Sequence, residues 1–459
     1  MNDKNINLAQ EIASAVSFAG GQTYYVGGFV RDQIIGRENK DIDIEVHGIP
    51  PHVLIDILGN IGEPLMMGAS FGIIGMRHYE IDISMPRSGN RVNENAGDFE
   101  TFADPFIGPE KAAARRDFTM NAMMQDVLSG EILDFYGGLD DLHRRLIRHV
   151  DDKTFAEDPL RVFRAAQFAA RFDFEIAEDT QELSSKIDVS KISSERIMGE
   201  LEKVLLKSKC PAVFFAYLRK MKQLSCWFPE AEALIGVEQN PVYHPEGDVW
   251  NHTMQVLDQA AALRDEASES LWFLLSALCH DMGKAITTTF DEERIHAYGH
   301  DREGVKPVQR FLDRITNEEK LIKYVLNMTE LHMQPNQKYD NRAHKKAFFK
   351  MFDASICPAD LLLLAKADSL GRSAPDTDTT RLIERYSETE KFLRDMLAEY
   401  NELMSRPYLM GRDLLEAGVE PGPQIGKALE FAHKLRLAGL SKEEQFRQTM
   451  AYLRGKNGE

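Results

Sequence analysis

Along the first twenty residues apolar side chains recur at helical spacing, and the pattern predicts a helix over 8–20 that stops at Gly20-Gly21. From Thr23 to about Ser84 the period changes. The short runs Tyr24–Val26, Ile42–Val46, Gly72–Met76 and Glu80–Ser84, separated by Gly, Pro and Asn, read as strands. Beyond Leu142 strand signals almost vanish, and amphipathic helical stretches continue to the end of the chain. The expected architecture is therefore a small α/β head followed by a mostly α-helical body. Breaks inside the body are expected near Cys226–Pro229, which leads into the loop Gln239–Asp248, and at the turn-rich stretch Gly371–Asp378.

Composition narrows this picture. A chain of 459 residues holds two to four domains at roughly 100–200 residues each. Lys+Arg 55 against Asp+Glu 73 leaves a net charge of −18, which argues against coating nucleic acid by bulk charge but not against a local basic groove. Residues 191–222 reverse the balance, with eight Lys/Arg against three Glu. They form either a solvated helix face or a phosphate-binding stripe, with Lys203, Lys207, Lys209, Arg219, Lys220 and Lys222 as the candidate backbone contacts. Cys210, Cys226, Cys279 and Cys357 are far apart with no Cys-x-x-Cys pair, so buried free thiols in a reducing compartment are expected. The start Met-Asn-Asp-Lys-Asn-Ile-Asn lacks a signal-peptide layout, and the longest dense apolar run, Leu271–Leu278, is too short to span a bilayer. The expectation is a cytoplasmic protein with no membrane partner.

Candidate chemistry begins in the head. Val26-Gly27-Gly28-Phe29-Val30-Arg31-Asp32 is followed nine residues later by Asp41-Ile42-Asp43. On a strand, residues two apart share a face, so Asp41 and Asp43 project together while Ile42 and Ile44 face the core. Adjacent carboxylates repel unless a cation lies between them, and magnesium with phosphate oxygens is the usual remedy. The glycines let a phosphate approach the backbone, and Arg31 offers a cation at the start of the next helix. Asp82, on a later strand, is either a third carboxylate beside the metals or a solvent-facing residue.

Three further segments follow: Arg115-Arg116-Asp117-Phe118-Thr119-Met120-Asn121-Ala122, Asp134–Asp140, and Glu157-Asp158-Pro159-Leu160-Arg161-Val162-Phe163-Arg164. Asp158-Pro159 has the form of a helix start, with Asp at the N-cap and Pro at the first helical position. Arg161 and Arg164 then share one face. The acid and the arginines are either a capped helix with a basic stripe or a device for reading a base.

In this order and spacing, the four segments from about Tyr24 to Phe172 resemble bacterial class II tRNA nucleotidyltransferases, the CCA-adding enzymes, whose relatives the poly(A) polymerases share the head motifs. The resemblance implies a polymerase-β-like head in which Asp41 and Asp43 bind two magnesium ions. It also implies that Gly28, Arg31 and Arg115 or Arg116 hold the triphosphate, and that Asp158, Arg161 and Arg164 contact the incoming base and its phosphates. Cytosine and adenine both present an exocyclic amine beside a ring-nitrogen acceptor, so a carboxylate beside a guanidinium matches them and mismatches uracil and guanine.

A second constellation lies in the body: His252, His280-Asp281 directly after Leu271–Leu278, His300, His332 and Asp368. Carrying two polar groups toward an interior is costly without a metal or partners, and imidazoles with carboxylates suit a transition metal that activates water. The pattern resembles the HD phosphohydrolase superfamily. That likeness implies His252, His280, Asp281 and Asp368 as the mononuclear ligands and His300 and His332 as further ligands for a second metal. The blocks His280–Lys284, His296–His300 and Ala367–Arg372 are closest to the HD domain fused to CCA-adding enzymes, and poly(A) polymerases generally lack such a domain. The tail, Met410–Leu414 and Glu420–Gly426, resembles the C-terminal helical signature of the same enzymes.

The expected division is a nucleotidyltransferase head over 1–150, a helical neck and RNA-binding region over 151–225, an HD domain over 226–372 and a helical tail over 373–459. The expected activity is addition of C, C and A to tRNA 3′ ends from CTP and ATP. Magnesium is expected in the head, nickel, cobalt or manganese in the HD domain, and no DNA partner. Beside this stand an enzyme adding only A or only C, a poly(A) polymerase, and an HD nucleotide phosphohydrolase whose head merely binds RNA.

Overall fold

The apolar spacing at the start of the chain closes into the helix Asp3–Phe18, which buries Leu8, Ala9, Ile12, Ala13 and Val16 on one face. This is seen in a computed structural model that describes residues 3–39, 41–67, 73–91, 99–291, 294–373 and 379–456. The strands up to residue 133 are β1 (Gln22–Val26), β2 (Ile42–His47), β3 (Pro64–Met67), β4 (Ile73–Met76), β5 (Ile81–Ser84), β6 (Arg87–Arg91), β7 (Phe99–Ala103), β8 (Met124–Asp126) and β9 (Ile132–Leu133). Seven of them form one sheet in the order β3-β4-β5-β2-β1-β8-β9, and β6 pairs with β7 as a separate hairpin. All four strands predicted from the pattern are present, with Gly72 outside the described residues. The hairpin β6/β7 and the short β3, β8 and β9 were not predicted, because their sequences lack an alternating apolar face of useful length.

The pair β2/β5 is parallel while the other pairings of this sheet are antiparallel. A parallel pair needs a crossover. It is supplied by the helix Pro51–Ile61 and the β3/β4 hairpin, which bring β5 beside β2 with Asp82 opposite Asp43.

The chain forms two compact units, one of Met1–Glu200 with Val213–Gln223 and the other of Leu201–Ala212 with Leu224–Glu459. In the first, the helix Leu160–Phe172 buries ten of its residues, among them Phe163, Phe168 and Phe172. Its start differs from expectation: Pro159 flanks the helix and Leu160 is its first residue, although Asp158 still caps it by accepting from the Leu160 N–H at 3.2 Å.

The second unit is helical apart from one two-stranded hairpin among its described residues. The helix Ser270–Cys279 is apolar on nearly every side and lies in the interior, with Phe273 to Cys279 all buried. Around it pack Val249–Leu263, Glu319–Leu331 and Pro358–Leu370. The side chain of Asp248 starts the first of these by accepting from the Asn251 N–H at 2.9 Å. Towards the C-terminus a smaller cluster of Leu409, Leu414, Ala428, Ala432 and Leu453 holds the tail helices together. Of the turn-rich stretch at 371–378, residues 374–378 lie outside the described residues.

All four cysteines are free, as expected, but only Cys279 is buried. Cys210 and Cys226 are exposed, because one lies between helices and the other on the outer side of the short helix Leu224–Trp227. Among the described residues no helix is long and apolar enough to cross a membrane.

Phe118 is fully buried and meets Phe155 and Phe168 edge-on, at centroid distances of 5.9 and 5.6 Å. Phe118→Ala should destabilise the first unit by about 3–5 kcal/mol through the cavity it leaves. The loss should appear as a lower urea midpoint for hydrogen-exchange protection of the β1, β2 and β8 amides in the full chain.

Candidate functional sites

In the head, strand alternation turns Ile42 and Ile44 into the core and leaves Asp41 exposed and Asp43 half-buried beside them. The parallel register puts half-buried Asp82 next to Asp43. Burial raises the Asp43 carboxyl to about 6; Arg116 opposes the shift, while Asp82 and Asp41 add to it. Asp43 and Asp82 on neighbouring strands, with Asp41 one residue before β2, are thus short of positive charge, which fits a site for divalent cations with oxygen ligands.

Gly27 closes the other side of this site with φ +65°, and a Cβ there would lie 3.1 Å from Arg116 NH1 and 3.8 Å from Asp43 Oδ2. A side chain at this position would be strained and would crowd the arginine out. Arg116 is also held from below by buried Glu45, 3.1 Å away, whose second oxygen takes His47 Nε2 at 2.9 Å. At Gly28 the missing Cβ leaves Arg31 NH2 and Asn39 Nδ2 within 3.4 and 3.6 Å.

Arg31 lies deeper than its sequence position suggested. Its guanidinium is 4% exposed, donates from Nε to Asp32 at 2.8 Å and from NH1 to Asn121 at 2.7 Å, and lies over the Phe172 ring at 4.5 Å. Asp32 also accepts from Asn39, whose own oxygen accepts the Asp41 N–H at 3.0 Å. Asn121 continues the chain of hydrogen bonds to Asp117, on which Arg164 donates from Nε and NH2 at 2.8 and 2.6 Å. Burial alone would raise the Asp117 carboxyl, but Arg164 and Asn121 hold it below the usual carboxylate range.

Arg161 and Arg164 do share a face, turned toward the segment Arg115–Asp117. Arg161 donates to the Thr154 and Arg115 carbonyls, each at 2.6 Å. Arg115 itself lies 3.8 Å from Glu157. The Asp158 carboxylate is paired with Arg196 NH2, at 3.0 and 2.8 Å to its two oxygens. Arg196, Asp117 and Asn121 were not singled out by the sequence. Of the basic stripe, Lys207, Lys209, Arg219, Lys220 and Lys222 are exposed and Lys203 is half-buried.

In the second unit all six expected residues converge. His252 comes from Val249–Leu263, His280 and Asp281 from the end of Ser270–Cys279, His300 from the short helix His300–Glu303, His332 from the end of Glu319–Leu331 and Asp368 from Pro358–Leu370. All are buried. Asp281 Oδ2 lies 3.5 and 3.3 Å from Nε2 of His252 and His280, and Oδ1 lies 3.3 and 3.6 Å from Nε2 of His300 and His332. Asp368 Oδ1 lies 3.1 Å from His252 Nε2.

The imidazoles are oriented by their other nitrogens. Nδ1 of His280, His300 and His332 each sits 2.7 Å from the carbonyl three residues earlier, that of Ala277, Ala297 or Thr329. A carbonyl only accepts, so each neutral ring carries its proton on Nδ1 and presents the Nε2 lone pair to the centre. Asp281 Oδ1 and Nε2 of His300 and His332 are buried without a hydrogen-bond partner among the described residues. Ligand atoms about 2.1 Å from a common metal lie about 3–3.5 Å from one another, close to the separations found here. The donor set fits a transition metal.

Four partners around this cluster were missed as individual residues. Glu246 Oε1 lies 2.8 Å from Nδ1 of both His244 and His252. Burial opposes its ionisation, but the two imidazoles hold its carboxyl down to about 2. Lys284 donates to Asp281 at 2.7 Å and Arg372 to Asp368 at 2.6 Å. Burial alone would raise both carboxyls, yet these cations and the histidines hold them well below the usual range. The available signal was spacing: Lys284 is three residues after Asp281 and Arg372 four after Asp368. Gly283 has a role of its own, since a Cβ there would overlap the His300 carbonyl oxygen and keep that ligand's segment away. The cluster opens into a cavity of about 700 Å³ lined by Asp281, Lys284, His300, Asp368 and Arg372, among others.

Three family models match in chain order: "Poly A polymerase head domain" over residues 23–148, "Probable RNA and SrmB- binding site of polymerase A" over 173–235, and "HD domain" over 249–372. The multifunctional CCA protein of Pasteurella multocida is 37% identical over 362 residues, covering 76% of this chain and 84% of that protein. That of Haemophilus ducreyi is 36% identical over 374 residues, covering 76% and 86%. Among solved structures, a Thermotoga maritima CCA-adding enzyme complexed with tRNA aligns with a TM-score of 0.62 at 20% identity, over 99% of this chain and 96% of that one. A CCA-adding enzyme with CTP aligns with a TM-score of 0.66 at 21% identity, over 99% and 96%. The fold is therefore that of the CCA-adding enzymes, and at the identity and coverage of the two bacterial relatives the chain belongs to the family of multifunctional CCA proteins.

Proposed function

We propose that this chain adds C, C and A to the 3′ end of tRNA from CTP and ATP without a nucleic-acid template, and that its HD domain is a metal-dependent phosphohydrolase. The observation that carries the first activity is the pair Asp43 and Asp82 on adjacent strands, with Asp41 directly before β2, faced by Gly27 and Arg116. Asp41 and Asp43, with Asp82 as third carboxylate, hold magnesium. Bound there, magnesium supplies charge stabilisation for the triphosphate and lowers the pKa of the attacking ribose hydroxyl. Gly28 admits a phosphate to the backbone, where Arg31 NH2 lies just beneath. Arg116, with Arg115 beside it, neutralises the phosphates from the other side.

The base is read by Asp158 and Arg161, with Arg164 fixing Asp117 behind them. Asp158 is free to change partner, because its pair with Arg196 is partly exposed, at 34% and 48%, and such pairs contribute about 0–1 kcal/mol. The amine donor of cytosine or adenine then takes the place of Arg196. The tRNA backbone is held by the basic residues of the segment 191–222, which lies inside the match to an RNA-binding model.

In the HD centre His252, His280, Asp281 and Asp368 would hold one ion, and His300 and His332 would serve as ligands for a second. Nickel, cobalt or manganese suits the mixture of imidazole and carboxylate donors, and when bound it supplies an activated water for attack on a phosphoester such as a 2′,3′-cyclic phosphate or a 2′-phosphomonoester. Glu246 holds His252 in place, and Lys284 and Arg372 balance the carboxylates.

Replacing Asp41 or Asp43 with Ala should lower CMP and AMP incorporation into tRNA by at least about 1,000-fold while tRNA affinity changes little. Substantial incorporation by the double variant with magnesium and CTP would sink the assignment. Asp158→Ala should reduce discrimination against UTP and GTP by about 10–100-fold, the worth of one matched base contact. Unchanged selectivity in a folded variant would leave Asp158 as a helix cap only. His280→Ala/Asp281→Ala should remove bound transition metal, measured by elemental analysis, together with phosphohydrolase activity, yet spare CCA addition. Unaltered hydrolysis in that variant would make the HD fold a scaffold.

A further inference from the structure

The cavity of the HD domain carries aromatic surface that neither metal ligation nor charge balance uses. Tyr298 lines it and is 81% exposed. Its ring is nonetheless held in place. It stacks on His296 with centroids 4.9 Å apart and planes 19° from parallel, and His296 Nε2 lies 2.5 Å from Asp291 Oδ2. One face of the phenol is backed by an imidazole that is itself anchored, and the other is left open. Only Gly299 separates Tyr298 from the centre's His300, and both residues line the cavity. Arg294, exposed in the same lining, forms no ion pair among the described residues, and Tyr243, 67% exposed, adds a second aromatic to the cavity.

An exposed ring fixed in advance loses little further freedom when a planar group stacks on it, and every nucleobase offers such a face. We propose that Tyr298 is a nucleobase-stacking platform, and that the HD centre therefore prefers phosphoesters carrying a base over phosphoesters without one. This deepens the phosphohydrolase reading and rests on it. The base belongs to a free nucleotide or to the 3′-terminal residue of an RNA; both present the same ring and phosphate.

The test uses the full chain loaded with nickel, as wild type, Tyr298→Ala and Tyr298→Phe. The substrates are adenosine 2′,3′-cyclic phosphate, a short RNA ending in a 2′,3′-cyclic phosphate, and glycerol 2-phosphate as the phosphoester without a base. Tyr298→Ala should raise KM about 10-fold for at least one of the two base-bearing substrates, leave KM for glycerol 2-phosphate unchanged, and be rescued by Tyr298→Phe. The substrate with the larger loss identifies the source of the base. Ligand-observed NMR of adenosine 2′,3′-cyclic phosphate should show adenine proton shifts with wild type and Tyr298→Phe that Tyr298→Ala abolishes. Equal KM changes for all three substrates would make Tyr298 a support for His300, and no change for any would remove the platform. Failure of the wild type to hydrolyse any of the three would overturn the phosphohydrolase reading instead, and the NMR shifts would still decide the platform.

Discussion

Asp281 is 1% exposed and lies against four imidazoles and a lysine. A carboxylate withdrawn this far from water is stable only if positive charge or donors surround it, and this requirement organises the second unit. The compensating groups His252, His280, Lys284, His300 and His332 come from the helices Val249–Leu263, Ser270–Cys279, Lys284–Thr287, His300–Glu303 and Glu319–Leu331 or their ends. Asp117 plays the corresponding part in the first unit, where Arg164 and Asn121 satisfy it and connect the helix Leu160–Phe172 to Arg31 and the glycine turn. The two centres share no residue, but each is assembled around a buried acid whose partners come from distant parts of the chain.

The carboxylates on β2 and β5 follow the opposite logic. Burial, with Asp82 and Asp41 adding to it and Arg116 opposing it, holds the Asp43 proton more tightly than a free aspartate's. Under the proposed reading the shortage of positive charge serves magnesium binding, since a site already neutralised by its own arginines would hold a divalent ion more weakly. Arg116 itself is committed to Glu45, which leaves the acidic face open to added cations and the glycine face open to phosphates. The HD centre combines both arrangements, with Lys284 and Arg372 balancing the outer oxygens while the lone pairs of His300 and His332 and one oxygen of Asp281 remain unmatched.

Much of this was legible because the chemistry is written in short-range pattern. Strand alternation turns Asp43 away from the core between buried Ile42 and Ile44 whatever the rest of the fold does, and the apolar run before His280 requires the His280-Asp281 pair to enter an interior. The i, i+3 relation of Arg161 and Arg164 likewise follows from helix geometry alone. Glu246 was not legible, since it lies in a Pro/Gly loop that reads as a boundary and meets His252 only through the folding of that loop. The aromatic Tyr298 was equally silent, since a single tyrosine between two histidines carries no periodic signal. Arg31 shows the limit most clearly: its position beside the glycines pointed to a phosphate, but its guanidinium is drawn under the turn by Asp32 and Asn121, the latter ninety residues away.

By itself the sequence determined the α/β head, the helical body and the residue types of both centres, because periodicity, caps and adjacent charges act over a few residues and need no partner. Tertiary structure alone decided which groups meet. The parallel crossover puts Asp82 beside Asp43, and the absence of a side chain at Gly283 lets His300 close on Asp281. Five helices bring the ligand side chains to one point. These are long-range steric and electrostatic outcomes, set by how surfaces pack, and no local pattern along the chain encodes the distance between atoms that the fold brings together.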